Sequence, residues 1–122
     1  MTNERLLVID RTYELVKWFL GRLSKFPRSH RYGLGQRIEQ HLYTVFEGLI
    51  QAQYSPPAEK VPVLSRVNLE LEVLRMLSRL AHELALLPHN SYEYASREID
   101  EVGRMVGGWL KQQRQKPPSS RG

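Results

Sequence analysis

The sequence contains no cysteine. Disulfides, thiolate metal sites and cysteine nucleophiles are thereby excluded, and a reducing cytoplasm is compatible with that composition. No apolar run approaches the roughly 18 residues needed to cross a bilayer. The opening segment MTNERLLVID carries Glu4, Arg5 and Asp10, so it lacks the apolar core of a signal peptide. The expectation is a cytoplasmic protein without a membrane partner. Catalytic and cofactor motifs are also missing. GLG at 33–35 has Ile38 where a dinucleotide fingerprint needs its third glycine, and it follows a loop instead of a strand. HELAL at 82–86 has Leu86 where a zinc protease needs its second histidine. The residues three before His41 and His82 are Ile38 and Arg79, so the Glu-x-x-His pairs of a di-iron bundle are absent. His30, His41, His82 and His89 are scattered as ordinary surface or loop histidines. No metal, no cofactor and no enzymatic activity are expected.

What is present describes one globular domain. The chain has 122 residues, 41% of them hydrophobic and 25% charged, with a formal net charge of +5. That length buries roughly two thirds of the unfolded surface. The charge favours an anionic partner without specifying a fold. Apolar residues recur with helical spacing in four segments, and no convincing strand lies between them. The first, about 4–25, has the stripe Leu6, Ile9, Tyr13, Val16, Leu20 and Leu23, and stops at Pro27. The second, about 30–53, starts near Ser29 as N-cap, with its hydroxyl accepting from the Tyr32 amide. It carries Leu34, Ile38, Leu42, Val45, Leu49 and Ala52. Pro56, Pro57 and Pro62 then delay the third helix to about 63–87. The fourth, about 91–114, has Asn90 and Glu93 as a capping box and the stripe Ala95, Ile99, Val102, Val106 and Trp109. Residues 115–122 read as a flexible basic tail. The expected fold is all-α, an up-down-up-down antiparallel four-helix bundle over residues 1–114.

The third helix is apolar over more than one stripe, with Leu69, Val73, Met76, Leu80 and Leu87 beside Val67, Leu71, Leu74, Leu77, Ala81 and Leu84. Trp18, Phe19 and Leu7 likewise lie off the stripe of the first. Such surplus marks either an oligomer interface or a wider core.

The cations are segregated. Arg22, Lys25, Arg28, Arg31 and Arg37 form a run without an acid, as do Arg104, Lys111, Arg114, Lys116 and Arg121. Acids gather at Glu70, Glu72, Glu93, Glu98, Asp100 and Glu101. Segregated cations bind phosphate backbones through counterion release; the alternative is a solvated face. Arg75, Arg79 and His82 share one face of the third helix, either for the same partner or paired locally as Glu72–Arg75 and Arg79–Glu83. An antiparallel bundle puts the first run at the turn between helices one and two and the second at the opposite end, which suits a long polyanion contacted at several places. Glycine adds a further pattern. Gly33 and Gly35 fall at the start of a helix, and Gly103 and Gly107 stand four apart near Trp109; close packing against a neighbouring helix, in the same subunit or another, is the expected reason.

The turn FPRSHRYGLGQRI, the segment VLRMLSRLAHEL and the ending EIDEVGRMVGGWLKQ together resemble the accessory variability determinant family of diversity-generating retroelements. That family lies within the four-helix-bundle proteins encoded by intervening sequences in bacterial 23S ribosomal RNA genes. The resemblance spans roughly residues 5 to 114. It implies a homopentameric ring, RNA and DNA binding without strict sequence preference, and association with the retroelement's reverse transcriptase, with no catalysis of its own. Carried onto matching positions, the basic contacts would be Arg28, Arg31, Arg75, Arg79, Arg104 and Lys111. Two alternatives stay open: a protein of the ribosomal RNA intervening-sequence type, or an oligomeric protein-interaction scaffold that binds no nucleic acid.

Overall fold

A computed structural model describes residues 4–115; the basic tail with Lys116 and Arg121 lies outside these. Helix α1 spans Glu4–Leu23, a short α2 spans Arg28–His30, and a π-helical turn over Arg31–Gly35 leads into α3, Gln36–Tyr54. Helices α4, Pro57–Glu83, and α5, His89–Arg114, complete the chain. α1 packs on α3 and α5, and α4 packs on the same two. The four long axes therefore form a square with α1 diagonal to α4, and short connections make neighbours antiparallel. Among the described residues there is no strand, and no helix is long and apolar enough to cross a membrane.

The stripes of α3 and α5 face inward as their spacing predicts: Ile38, Leu42, Val45, Leu49 and Ala52 meet Ala95, Ile99, Val102, Val106 and Trp109. α1 departs from expectation. Its inward face is Val8, Thr12, Leu15, Val16, Phe19 and Leu23, while Leu6 and Tyr13 are half exposed. Two apolar stripes run along this helix, and the one that carries the fully buried Phe19 faces α3 and α5. Thr12 is tolerated there because its hydroxyl donates to the Val8 carbonyl at 2.8 Å.

The ends differ from expectation for identifiable reasons. α4 begins at Pro57, not Val63, because Pro57 occupies the first helical position, where its missing N–H costs nothing. Pro62 lies inside α4 and is exposed. The buried Lys60 ammonium ties this stretch down by donating to the Ala52 and Gln53 carbonyls at the end of α3, at 2.6 and 3.3 Å. Neither expected side-chain cap forms. Pro27 enters α2 ahead of Ser29, and Pro88 enters α5, while Glu93 pairs with His89 at 3.3 Å. α4 ends at Glu83, not Leu87. Ala85 is left-handed with φ 62°, its amide bonds to the His82 carbonyl, and the Leu86 amide bonds to that of Ala81. That is a Schellman motif built on alanine.

Candidate nucleic-acid interface

The turn between α1 and α3 is built around a plug. After Leu23 the chain tightens, with Lys25 and Phe26 amides bonding to the Arg22 and Leu23 carbonyls. Phe26 is driven fully into the core. Pro27 then restarts the helix, its carbonyl accepting from both His30 and Arg31 at 2.9 Å. With the apolar residue buried, the polar ones point outward: Lys25, Arg28, Arg31 and Arg37 are exposed and Arg22 is half-buried. Arg22 lies over the Trp18 ring, 5.5 Å from its centroid. Arg31 donates to the Phe26 carbonyl at 3.3 Å. None of these five cations forms an ion pair among the described residues.

The remaining sequence candidates separate from this group. Arg75 bonds to Glu72 at 2.5 Å and to Asp100 of α5 at 2.6 Å. Arg79 pairs with Glu83 at 3.0 Å, and that bond raises its pKa further above the ordinary guanidinium value. Local pairing, the alternative weighed for these two, is therefore what forms. Arg104 pairs with Glu101 one turn earlier, and its hydrogen bonds hold that carboxyl below its ordinary value. The acid-free run beginning at Arg104 thus misleads, because a helix looks backwards as well as forwards. Lys111 has no ion pair among the described residues, and Arg114 reaches Ser65 of α4 at 3.5 Å, at the end of the bundle opposite the turn.

The glycines divide between close packing and open space. A Cβ at Gly33, Gly103 or Gly107 would meet nothing within 4 Å, so no helix of the same protomer passes close there. At Gly35 it would lie 3.3 Å from the His30 carbonyl and 3.4 Å from the Phe26 ring, inside the turn. The tightest position is one that spacing did not single out, Gly48, where a Cβ would come 2.5 Å from Val67 of α4. Trp109 is 4% exposed and packs in its own protomer's core, with Arg5 over its ring.

Two features escaped the sequence reading. Tyr32, inside the basic run, is 69% exposed. Aromatic interleaving in a cationic stretch was the available signal. The other joins α3 to α4. His41 Nδ1 donates to Glu70 at 2.5 Å, and Arg66 Nε donates to the other carboxylate oxygen at 3.2 Å. Burial pushes the Glu70 carboxyl up, but these two bonds outweigh it and hold it below its ordinary value. The signal was available as Arg66 and Glu70, four apart, but the His41 half is a tertiary contact.

Comparison with known proteins agrees with this architecture. No curated protein matches the chain. The crystal structure of a Bacteroides thetaiotaomicron protein of unknown function, from the S23 ribosomal protein family, is similar with a TM-score of 0.82. The match covers 89% of this chain and 99% of that one at 13% identity, which establishes a shared fold. The bAvd-like family model matches residues 6–113, all four long helices and the basic turn included. The chain belongs to the bAvd-like family.

Proposed function

We propose that this protein is a non-catalytic, nucleic-acid-binding accessory protein of a diversity-generating retroelement. In that role it holds template RNA and cDNA for the reverse transcriptase during mutagenic retrohoming. The observation that carries the reading is the turn end. There, in a chain of this family, five cations stand together, none of them in an ion pair among the described residues. Each such cation that neutralises a phosphate releases counterions condensed on the nucleic acid, which favours binding.

Assembly belongs to the same proposal. Leu69, Met76 and Leu80 project from the outer face of α4, and Leu6, Tyr13, Tyr43 and Ile50 line a second exposed apolar face on α1 and α3. α1 lies diagonal to α4, so the two faces are different surfaces on different sides. Head-to-tail pairing of two unlike surfaces gives a ring when the rotation between subunits closes, and five subunits is the number the family resemblance implies. The open faces of Gly103 and Gly107 leave room for a neighbouring subunit's backbone.

The test is binding of labelled RNA to purified protein across a salt series. Affinity is expected to fall steeply as salt rises from ~50 mM, and light scattering is expected to report a mass several times that of one chain. No RNA or DNA binding at ~50 mM salt would overturn the reading. Retention of the reverse transcriptase after nuclease treatment would then favour the protein-interaction scaffold, which the two apolar faces also support.

A further inference from the structure

The π-helical turn has a consequence for which form of nucleic acid is bound. A π turn is wider than an α turn and recurs at functional sites. Here the turn Arg31–Gly35 and the end of α1 border a cavity of about 260 Å³. Leu20 and Leu23 give it an apolar wall, and Arg31, Tyr32, Gln36 and Glu39 line the rest. That volume is below the roughly 300 Å³ at which pockets for drug-sized ligands begin; it has room for one flat ring. The Tyr32 ring makes no ring contact or hydrogen bond among the described residues. An exposed tyrosine between cations, beside a small apolar slot, pairs a surface for a base with donors for phosphates.

We infer that the turn end is a single-strand site, in which an unstacked base lies against Tyr32 at the mouth of the Leu20–Leu23 cavity and Arg28, Arg31 and Arg37 take the flanking phosphates. This rests on the nucleic-acid-binding reading and adds the substrate class. Bases inside a duplex are already stacked on both faces and cannot reach Tyr32, whereas a single strand offers a free π-face at every nucleotide. The carboxylate of Glu39 disfavours phosphate inside the cavity itself, so the base occupies it and the phosphates stay at the rim.

The experiment uses the full chain and three labelled probes: a short single-stranded RNA of mixed sequence, the same strand as DNA, and the blunt RNA duplex. Each is titrated by fluorescence anisotropy at ~50 mM salt with wild type, Tyr32→Ala and Tyr32→Phe. Tyr32→Ala is expected to weaken both single strands about tenfold, the scale of one lost base stack, and to leave the duplex unchanged. Tyr32→Phe is expected to retain wild-type binding. Tyr32 is exposed, so the folded helix content measured by circular dichroism stays constant. Unchanged single-strand affinity in Tyr32→Ala, an equal loss on the duplex, or a loss confined to RNA overturns the inference and leaves salt-dependent binding by the wild type standing. No binding of any probe by the wild type overturns the broader reading as well.

Discussion

Arginines at the two flanks of this bundle meet opposite fates. Along α4 and α5, Arg75, Arg79 and Arg104 each close on a carboxylate supplied one helical turn away, and Arg75 also crosses to Asp100. At the turn end, Lys25, Arg28 and Arg37 have no such partner among the described residues, and Arg22 and Arg31 lean on a ring and a carbonyl. The difference is local in origin. A long helix offers each cation neighbours at three and four residues on either side, and α4 and α5 place acids there. The stretch from Arg22 to Arg37 places none. Exposed ion pairs add little stability, yet a paired arginine meets a phosphate with its charge already offset and some of its donors engaged. Pairing, more than charge count, therefore decides which cations are available.

The largest effect tests that contrast directly. Replacing Arg28, Arg31 and Arg37 together by alanine removes three available cations. For single strands each contact contributes about 0.7 to the salt slope, so the slope should fall by about 2. The loss in affinity should be on the order of a hundredfold at ~50 mM salt. Arg75→Ala with Arg79→Ala should change affinity less than about twofold, because those guanidinium groups are already engaged. Equal losses in the two variants would break the comparison. Anisotropy titration over a salt series reads both.

The second effect concerns Glu70, the third fate a charge meets here. Its carboxylate is largely buried between His41 and Arg66. Glu70→Ala leaves those donors without their acceptor and should cost on the order of 1–3 kcal/mol of stability, read by urea denaturation. The pH dependence follows from the direction of its shift. The folded carboxyl is held below its ordinary value, so its stabilisation is present above the unfolded pKa and is lost as pH falls through the lower folded one. Glu70→Gln should therefore lose less stability than wild type as pH falls below about 4.5 and through the lower folded value.

Legibility in the sequence followed the number of readings each segment allowed. α3 and α5 each carry a single apolar stripe, and Leu42, Leu49, Ala95 and Ile99 are buried where the period puts them. α1 carries two, and period alone could not choose Val8, Leu15 and Phe19 over Leu6 and Tyr13; the helices packed against it decide. Pro62 looked like a break because a proline rule is local, whereas Lys60 bonding back to α3 is not. The cationic turn was legible because a run of cations without acids is itself a sequence property. Glycine spacing carried least: Gly103 and Gly107 face open space, and Gly48, in no pattern, is the tight one.

A smaller effect sharpens the comparison from the other side. If Arg75 and Arg79 are silent because their acids hold them, neutralising those acids should wake them. Glu72→Gln, Glu83→Gln and Asp100→Asn combined leave both guanidinium groups in place and remove the competition. RNA affinity should rise about threefold, with the salt slope growing towards one extra contact. An unchanged slope would mean that this flank faces away from the bound strand, so that geometry, not pairing, separates the two regions.

The smallest effect lies in the α4–α5 connection, at the same end of the bundle as the basic turn. Ala85 holds φ 62° to close the Schellman motif, with its amide on the His82 carbonyl and that of Leu86 on Ala81. An L-residue with a Cβ pays roughly 1–2 kcal/mol in that region. Glycine avoids that strain but loses more freedom on folding, by roughly 0.5–1 kcal/mol. Ala85→Gly should then stabilise by about 0.5 kcal/mol, raising Tm by about 2–3 °C for a domain of this size. Ala85 belongs to neither set of arginines, so RNA affinity should stay at the wild-type value. A change in binding would show that the phosphate path extends from the basic turn across this connection, and the boundary between the two regions would have to be redrawn around it.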